Sequence, residues 1–489
     1  MKRKVLLISP GYYEFGDYGY HDMPPMGLLK IAKYFKINNV DFDYYDFSLP
    51  PKVGNTSVNL KFIYKNAPFN RYIKCGNFEN EGILKPQKYY GAPLSLIKQK
   101  LLDSKPTEIW LSTGLTYYWE AARDIAELCK SLYPHVPLLV GGIYATLWPQ
   151  HCNDFLGADY VHKGPLDDID DLFPDYSVDS NRKHSTIRTL QLGKGCNVSP
   201  PCSFCAVVAM DPKFKALSAS SLFDYIKTEA DNGVSLFRFW ASQLLVPPGR
   251  LIDLLERIKH SRLKINMVAS EGVQPSLFTQ NISDLMYSAG FSSVSIPMES
   301  ISDVAVKDFR KPSDFNDYEV AVRRAQQSGF GLIKSFVMLG IPGQTYDEII
   351  HAIVDCWARD VAPALHQYTP IPGSFDWERF TQFHSSSPEE LHPSLWPGAN
   401  KDMTVSSLEE IKKIAKIGPV NFYKYINTEV AVEKEIWQLY RKWMIKYGIL
   451  STANAYNFKA PLSLTGYVSD WMAGVWSQES TLITDLVKS

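Results

Sequence analysis

The sequence predicts an α/β protein: an N-terminal parallel-sheet domain, then a full or partial (β/α) barrel, then a mostly helical C-terminal region. Three observations predict it. Short apolar strands alternate with amphipathic helices from the start of the chain. An acidic, turn-rich stretch then breaks the alternation, and a second series of at least five β-α units follows. Beyond about Trp377 the pattern loosens. The expected domains are residues 1–165, a linker at 166–185, the barrel at 186–377 and the C-terminal region at 378–489.

The first series begins with the apolar strand "KVLLIS" (Lys4–Ser9). "MGLLKIAKYFK" (Met26–Lys36) is a helix with Leu28, Leu29, Ile31, Ala32 and Phe35 near one stripe. "VDFDYYDF" (Val40–Phe47) alternates as a strand does, and "EIWLSTG" (Glu108–Gly114) is a strand running into a turn. "YWEAARDIAELCKSLY" places Trp119, Ala122, Ile125, Cys129 and Leu132 at helical spacing. "VPLLVGG" is a buried strand ending in Gly141–Gly142, and Tyr160–His162 is a further strand. Repeated β-α-β order requires a parallel, Rossmann-like sheet with helices on both faces. Ligands of such sheets sit beyond the C-terminal strand ends, where "SPGYYEFGDYGYHDMPPMG", "STGLTYYW" and "GGIYAT" fall.

"LDDIDDLFPDYSVDSNRKHS" (Leu166–Ser185) reads as the linker. The strands of the second series are "TLQLGKG", "LFRFWAS", "KINMVAS", "SSVSIPMES", "LIKSFVMLG" and "ALHQYTPIPG", with helices between them such as Leu251–Lys259 and Tyr318–Ser328. Downstream, "SSSPEELHPSLWPGANKDMTVSS" reads as a loop or lid, and "LEEIKKIAKIG" and "VAVEKEIWQLYRKWMIKYG" as helices.

Of the 489 residues, 45% are hydrophobic and 21% charged, which is a globular composition. With 51 basic and 52 acidic side chains, nothing predicts a nucleic-acid or anionic-membrane partner. Seven cysteines are too few for a disulfide scaffold of this length. The apolar run Val5–Ile8 is too short for a signal segment, and no stretch approaches the ~20 apolar residues of a membrane span. A reducing cytoplasm is the expected compartment, where clustered thiols are more often metal ligands or redox groups than disulfides.

One such cluster exists. "GKGCNVSPPCSFC" places Cys196, Cys202 and Cys205 in one loop after the first barrel strand. A structural zinc site needs four protein ligands, and the chain has no second CxxC and no HxxxH; His184 is a candidate fourth ligand that no spacing requires. Three thiolates suit a cubane iron–sulfur cluster with one iron left open. On spacing alone, a cluster stands level with zinc or with incidental core cysteines.

The loop resembles the cluster loop of radical S-adenosylmethionine (radical SAM) enzymes, whose usual spacing is C-x3-C-x2-C with an aromatic residue before the last cysteine, here Phe204. This sequence has two additional residues between the first two cysteines, in a segment stiffened by Pro200 and Pro201. Further matches follow in order. "VSIPMES" resembles the family strand ending in Glu-Ser (Glu299, Ser300), and "FRKPSDFNDY" the segment with a lysine (Lys311). "FVMLGIPGQTYDEI" resembles a strand–turn–helix through Gly340, Pro342, Gly343 and Thr345. "YTPIPGSFDW" resembles a late turn, with Ser374 in place of threonine. Ser242 and Gln243 stand where the family often has Asp-Asp. The resemblance implies SAM contacts from Phe204, Ser242, Gln243, Glu299, Ser300, Lys311, Gly340 and Pro342.

"PPMGLLKIAKYF", "STGLTYYW" and "GGIYATLWPQ" resemble the cobalamin-binding domain fused to many radical SAM enzymes. "SPGYYEFGDYG" and "QKYYGAPLSLI" resemble a poorly characterised subgroup of those fusions. Implied cobalamin contacts are Pro25, Gly27, Ser112, Thr113, Gly114, Gly141, Gly142, Tyr144 and Thr146. The chain has no D-x-H-x-x-G sequence, so no histidine of that motif ligates cobalt.

The resemblance implies that Cys196, Cys202 and Cys205 hold a [4Fe–4S] cluster whose open iron is chelated by SAM. It implies reductive cleavage of SAM to a 5′-deoxyadenosyl radical, hydrogen abstraction from an unactivated carbon of an organic substrate, and methyl transfer from cobalamin. A flavodoxin or ferredoxin is the implied electron donor. The rival expectations are a non-methylating radical reaction and a non-catalytic cofactor-binding protein. His21, His135, His151, His162 and His366 are isolated and read as surface or satisfied polar residues.

Overall fold

Strand β1 (Lys4–Ser9) shows why the first sheet is covered on both sides. Its Val5 and Leu7 pack with Leu28, Ala32 and Phe35 of helix α1 (Met26–Ile37), while Leu6 and Ile8 face the opposite core. That core is closed by Ile97 and Leu101 of α2 (Leu94–Ser104) and by Ala122, Ile125 and Ala126 of α3 (Trp119–Leu132). The period-2 alternation of a strand thus feeds two helical layers. With β2 (Asp41–Asp46), β3 (Glu108–Thr113), β4 (Leu138–Gly142) and β5 (Tyr160–Val161), the order is β2-β1-β3-β4-β5, all parallel. This is the predicted Rossmann-like sheet.

These coordinates are a computed structural model, which describes residues 2–15, 23–48, 78–80, 83–85, 87–269, 271–302 and 307–395, with 400–405, 407–409, 411, 412 and 415. His21 and the helix expected at residues 430–448 lie outside the described residues, as does most of the helix expected at 408–418. The chain divides into two compact units. The first comprises residues up to Thr186 with Phe204–Lys213 and the described part of Thr369–Pro397. The second comprises Ile187–Ser203 and Phe214–Tyr368 with the described residues from Asn400 on.

Two features of the first unit were not read from the sequence. Tyr12–Phe15, placed by the sequence only beyond the end of the first strand, pairs antiparallel with Gln87–Tyr90. Within this ribbon Glu14 is almost fully buried, accepting from the Tyr118 hydroxyl at 2.8 Å and standing 2.9 Å from His392 Nε2. Burial pushes the Glu14 carboxyl up, but His392, Tyr118 and the Phe15 N–H outweigh it and hold it below its ordinary value. The stretch 166–185, expected as a linker, is fastened to the sheet. Lys36 pairs with Asp175 at 2.9 Å, and the buried Arg182 guanidinium bridges Asp46 at the end of β2 and Asp179.

The second unit repeats one β/α step. β6 (Ile187–Gln191), β7 (Leu236–Trp240), β8 (Asn266–Ala269), β9 (Phe291–Ser295), β10 (Leu332–Leu339) and β11 (Ala362–Gln367) lie side by side in chain order, all parallel. Helices α4 (Ala219–Asp231), α5 (Pro248–Ser261), α6 (Gln280–Ala289), α7 (Phe315–Ser328) and α8 (Tyr346–Ala358) link them. Among the described residues β6 and β11 are edges, so the barrel is partial. Helix starts are set by local chemistry: Asp314 with Asp317 and Thr345 with Glu348 form reciprocal capping boxes on α7 and α8. No described helix is long and apolar enough to cross a membrane.

Candidate functional site

Most candidate residues of the second unit follow the C-terminal end of a strand. The loop from Gly193 follows β6, Ser242 and Gln243 follow β7, Glu299 and Ser300 follow β9, and Gly340–Gly343 follows β10. Because the six strands are parallel, these segments share one edge of the sheet.

The cysteines divide into two kinds. Cys129, Cys152 and Cys356 are buried, and burial pushes each thiol up to about 12. They remain protonated and chemically inert. Cys196, Cys202 and Cys205 are half-buried and outside any disulfide. Gln243 donates its amide N–H to Cys196 Sγ at 3.4 Å, the kind of contact that tunes a ligand sulfur. Ser203, fully buried, donates its backbone N–H to Phe309 O at 3.0 Å and fastens the loop beside Cys202. The Ser199–Pro200 peptide within the enlarged segment is cis. Among the described residues no three Cys, His, Asp or Glu side chains, those of this loop included, form a group that could hold a metal ion as they stand. The case for the loop therefore rests on its donor chemistry and its place at the sheet edge.

Glu299 is the most constrained residue of the edge. It is non-glycine with φ 63°, a left-handed conformation that costs about 1–3 kcal/mol. Its backbone is clamped to β10, its N–H donating to Phe336 O and its carbonyl accepting from Met338 N, both at 2.8 Å. The carboxylate accepts from Lys311 Nζ at 3.0 Å, with both side chains nearly buried. The expected Glu299, Ser300 and Lys311 are thus brought together. Ser300 is buried and accepts from the Ser302 N–H at 3.1 Å, whereas Ser242 is exposed and Phe204 half-buried. The Gly340–Gly343 turn is braced by two residues that the sequence reading missed. Gln344 Oε1 accepts from Gly340 N at 2.7 Å, and Asn400 Nδ2 donates to Ile341 O and Gln344 O at 2.7 and 2.8 Å. Pro342 between them is half-exposed.

In the first unit the candidate residues also lie at strand ends. Thr113 Oγ1 donates to Gly141 O at 2.8 Å and accepts from Ala145 N at 3.2 Å. Thr146 donates to Gly142 O and accepts from Gly164 N, and the fully buried Tyr144 places its hydroxyl on His151 Nδ1. The side chains of Thr113, Tyr144 and Thr146 therefore hold the turn itself. What the edge offers outward is backbone: Gly114 and Gly142 are exposed, and Ser112 and Gly141 half-exposed. Pro25 and Gly27 open α1, and a Cβ at Gly27 would meet nothing within 4 Å. Gly142 is required where it stands. Its φ is 110° and an added Cβ would fall 2.3 Å from Thr113 O. Gly142→Ala is expected to destabilise the protein by at least about 2 kcal/mol, read as a lower denaturant midpoint at unchanged slope.

Residues 190–356 match the Radical SAM superfamily. The chain carries a radical SAM domain. No curated protein sequence matches it. Among solved structures it is similar to the radical S-adenosylmethionine methyltransferase TsrM from Kitasatospora setae, with cobalamin and a [4Fe-4S] cluster bound. There the TM-score is 0.59 and the identity 15%, over 79% of each chain. It is also similar to the cobalamin-dependent S-adenosylmethionine radical enzyme OxsB, with aqua-cobalamin and S-adenosylmethionine bound. The TM-score is 0.57 and the identity 13%, over 96% of this chain and 75% of OxsB. Both likenesses are of fold, and they extend well beyond the radical SAM domain into the N-terminal sheet.

Proposed function

We propose that this protein is a cobalamin-dependent radical SAM enzyme that methylates an unactivated carbon of an organic substrate. The observation that carries the reading is the pairing, on one sheet edge, of a loop with three half-buried thiols outside any disulfide and the clamped Glu299–Lys311 pair. Cys196, Cys202 and Cys205 would hold three irons of a [4Fe–4S] cluster and leave the fourth for SAM. When bound, the cluster supplies the electron that cleaves SAM, and cobalamin the methyl group.

The protein's own residues bind and orient. Gln243 directs an N–H at a ligand sulfur. Glu299 presents a carboxylate suited to an ammonium group, already desolvated and held in place by Lys311. The bare glycine edge at Gly114, Gly141 and Gly142 admits a flat macrocycle, and the local side chains are turned inward to their own turn. A flavodoxin or ferredoxin fits the need for a single-electron donor.

The test is anaerobic incubation of reconstituted protein with SAM and reductant, with and without cobalamin, scored for 5′-deoxyadenosine and product mass. A product without an added methyl group would replace methylation by a rearrangement or another radical reaction. Glu299→Gln is expected to weaken SAM binding by about 1.5–3 kcal/mol, roughly tenfold to a hundredfold, in calorimetric titration. An unchanged affinity would remove Glu299 from the SAM site.

A further inference from the structure

His366 is exposed on β11 and opens onto the inner face of the second sheet. Along β10, Ile333, Ser335, Val337 and Leu339 are buried, while Leu332, Lys334, Phe336 and Met338 remain partly open. β11 repeats the pattern, with Pro363, Leu365 and Gln367 buried and Ala362, Ala364 and His366 open. α8 packs on both strands and accounts for the buried face. The residues of the other face keep accessible surface.

Register places its residues. Lys334 lies beside Ala362, Phe336 beside Ala364 and Met338 beside His366. The Phe336 and His366 rings meet edge-on at 5.4 Å. Gly272, which follows Glu271 beyond β8, runs so close that a Cβ would stand 3.2 Å from Phe336 Cε2. Glu271 and His366 both keep accessible surface yet are ringed by protein, as groups in a concavity are. That enclosure raises the Glu271 carboxyl and lowers the His366 imidazole, which also faces Glu299 and Lys412.

Lys334 stands out among these groups. Its ammonium makes no hydrogen bond or ion pair among the described residues, and enclosure pushes it down to about 8. A lysine so placed carries an unmet need for a counter-charge. Its neighbours across the register are the small Ala362 and, two residues on, Ala364, and Leu332, Phe336 and Met338 on the same face are apolar.

We propose that this inner face is the substrate pocket, that its occupant is an organic carboxylate with an apolar body, and that Lys334 receives the carboxylate. The proposal rests on the radical SAM reading for its claim that the occupant is the substrate. A single lysine suits a monoanion better than a phosphate dianion. Glu299 bridges to Val337, so Phe336–Met338 are level with the Glu299–Lys311 pair. Lys334 lies three residues deeper than Val337, about 10 Å at ~3.3 Å per residue. The carbon that reacts is therefore several bonds from the carboxylate, past an apolar stretch that lies against Phe336.

The test uses the full-length protein, reconstituted anaerobically with iron, sulfide and SAM, and two readouts keep the two readings apart. Release of 5′-deoxyadenosine by the unaltered protein tests the radical SAM reading. Acetylation of Lys334 by a pulse of acetic anhydride near neutral pH, followed by peptide mass spectrometry, tests the pocket. The probes are 3-phenylpropionate and its uncharged amide, 3-phenylpropanamide. A bound carboxylate that lifts the amine by about one pKa unit lowers its neutral fraction, and so its acetylation rate, about tenfold. The expected result is protection of Lys334 by the acid and not by the amide, with the exposed Lys227 unaffected. Equilibrium dialysis is expected to show the acid retained by Lys334→Arg and lost by Lys334→Met. Equal protection by acid and amide, protection by neither, or full binding by Lys334→Met overturns the proposal, whatever the 5′-deoxyadenosine result. The acetylation arm needs no variant, so a misfolded substitution leaves the test intact.

Discussion

Cys202→Ala is expected to abolish reductive cleavage of SAM, a fall of at least about a thousandfold, or roughly 4 kcal/mol of barrier. Anaerobically reconstituted variant should also hold little iron and sulfide, because two thiolates cannot replace three in holding a cubane. The fold should survive. The neighbouring Ser203, not Cys202, is the fully buried member of the loop, and its N–H on Phe309 O remains. The informative control is Cys356→Ala. Cys356 is fully buried, and its thiol is pushed up to about 12 mainly by burial. That variant should keep its iron and its cleavage activity and lose about 1 kcal/mol of stability from the vacated volume. Iron and cleavage that persist in Cys202→Ala would falsify the cluster assignment.

Arg182→Met carries the largest expected cost in stability. In the native fold one guanidinium serves two carboxylates, Asp46 and Asp179, and all three side chains are at most 5% exposed. Removing it leaves two buried like charges facing each other, a cost of about 3–5 kcal/mol. Burial already raises the Asp179 carboxyl, with Asp46 adding to it and Arg182 opposing. Without Arg182 that carboxyl rises further above its unfolded value. Stability is then fully present below the unfolded value and is lost as pH rises through the folded one. The variant's deficit should therefore be small in acid and grow towards neutrality. Denaturant midpoints at a series of pH values check this, and a pH-independent deficit would show that packing and not charge sets the cost.

This triad also shows what a linear reading misses. The strands of both sheets were legible because most are short apolar or alternating runs between turn residues, and the cysteine loop because its chemistry is local. Arg182 lies in a polar, turn-rich stretch that has every mark of a linker, and its partner Asp46 is 136 residues away. The Tyr12–Phe15 ribbon was hidden for the same reason, since it pairs with Gln87–Tyr90 across a long insertion. Lys334 was concealed differently. A lone lysine in "LIKSFVML" suggests a solvated face, and only the register with β11 shows that this face is the inside of the sheet. Glu299 was found from a resemblance, whereas its left-handed backbone could be seen only in three dimensions.

The make-up of the first unit sets a schedule for synthesis. Its N-terminal sheet is complete by Val161, yet Glu389, which accepts from the Trp119 indole at 2.6 Å, and His392, which stands against Glu14, arrive more than two hundred residues later. At a synthesis rate of ~5–20 residues per second, that is a wait of roughly 10–40 s. Throughout it, Trp119 and Glu14 sit on the nascent sheet without partners they hold in the finished fold. An N-terminal fragment ending at Thr186 would remain in that waiting state permanently.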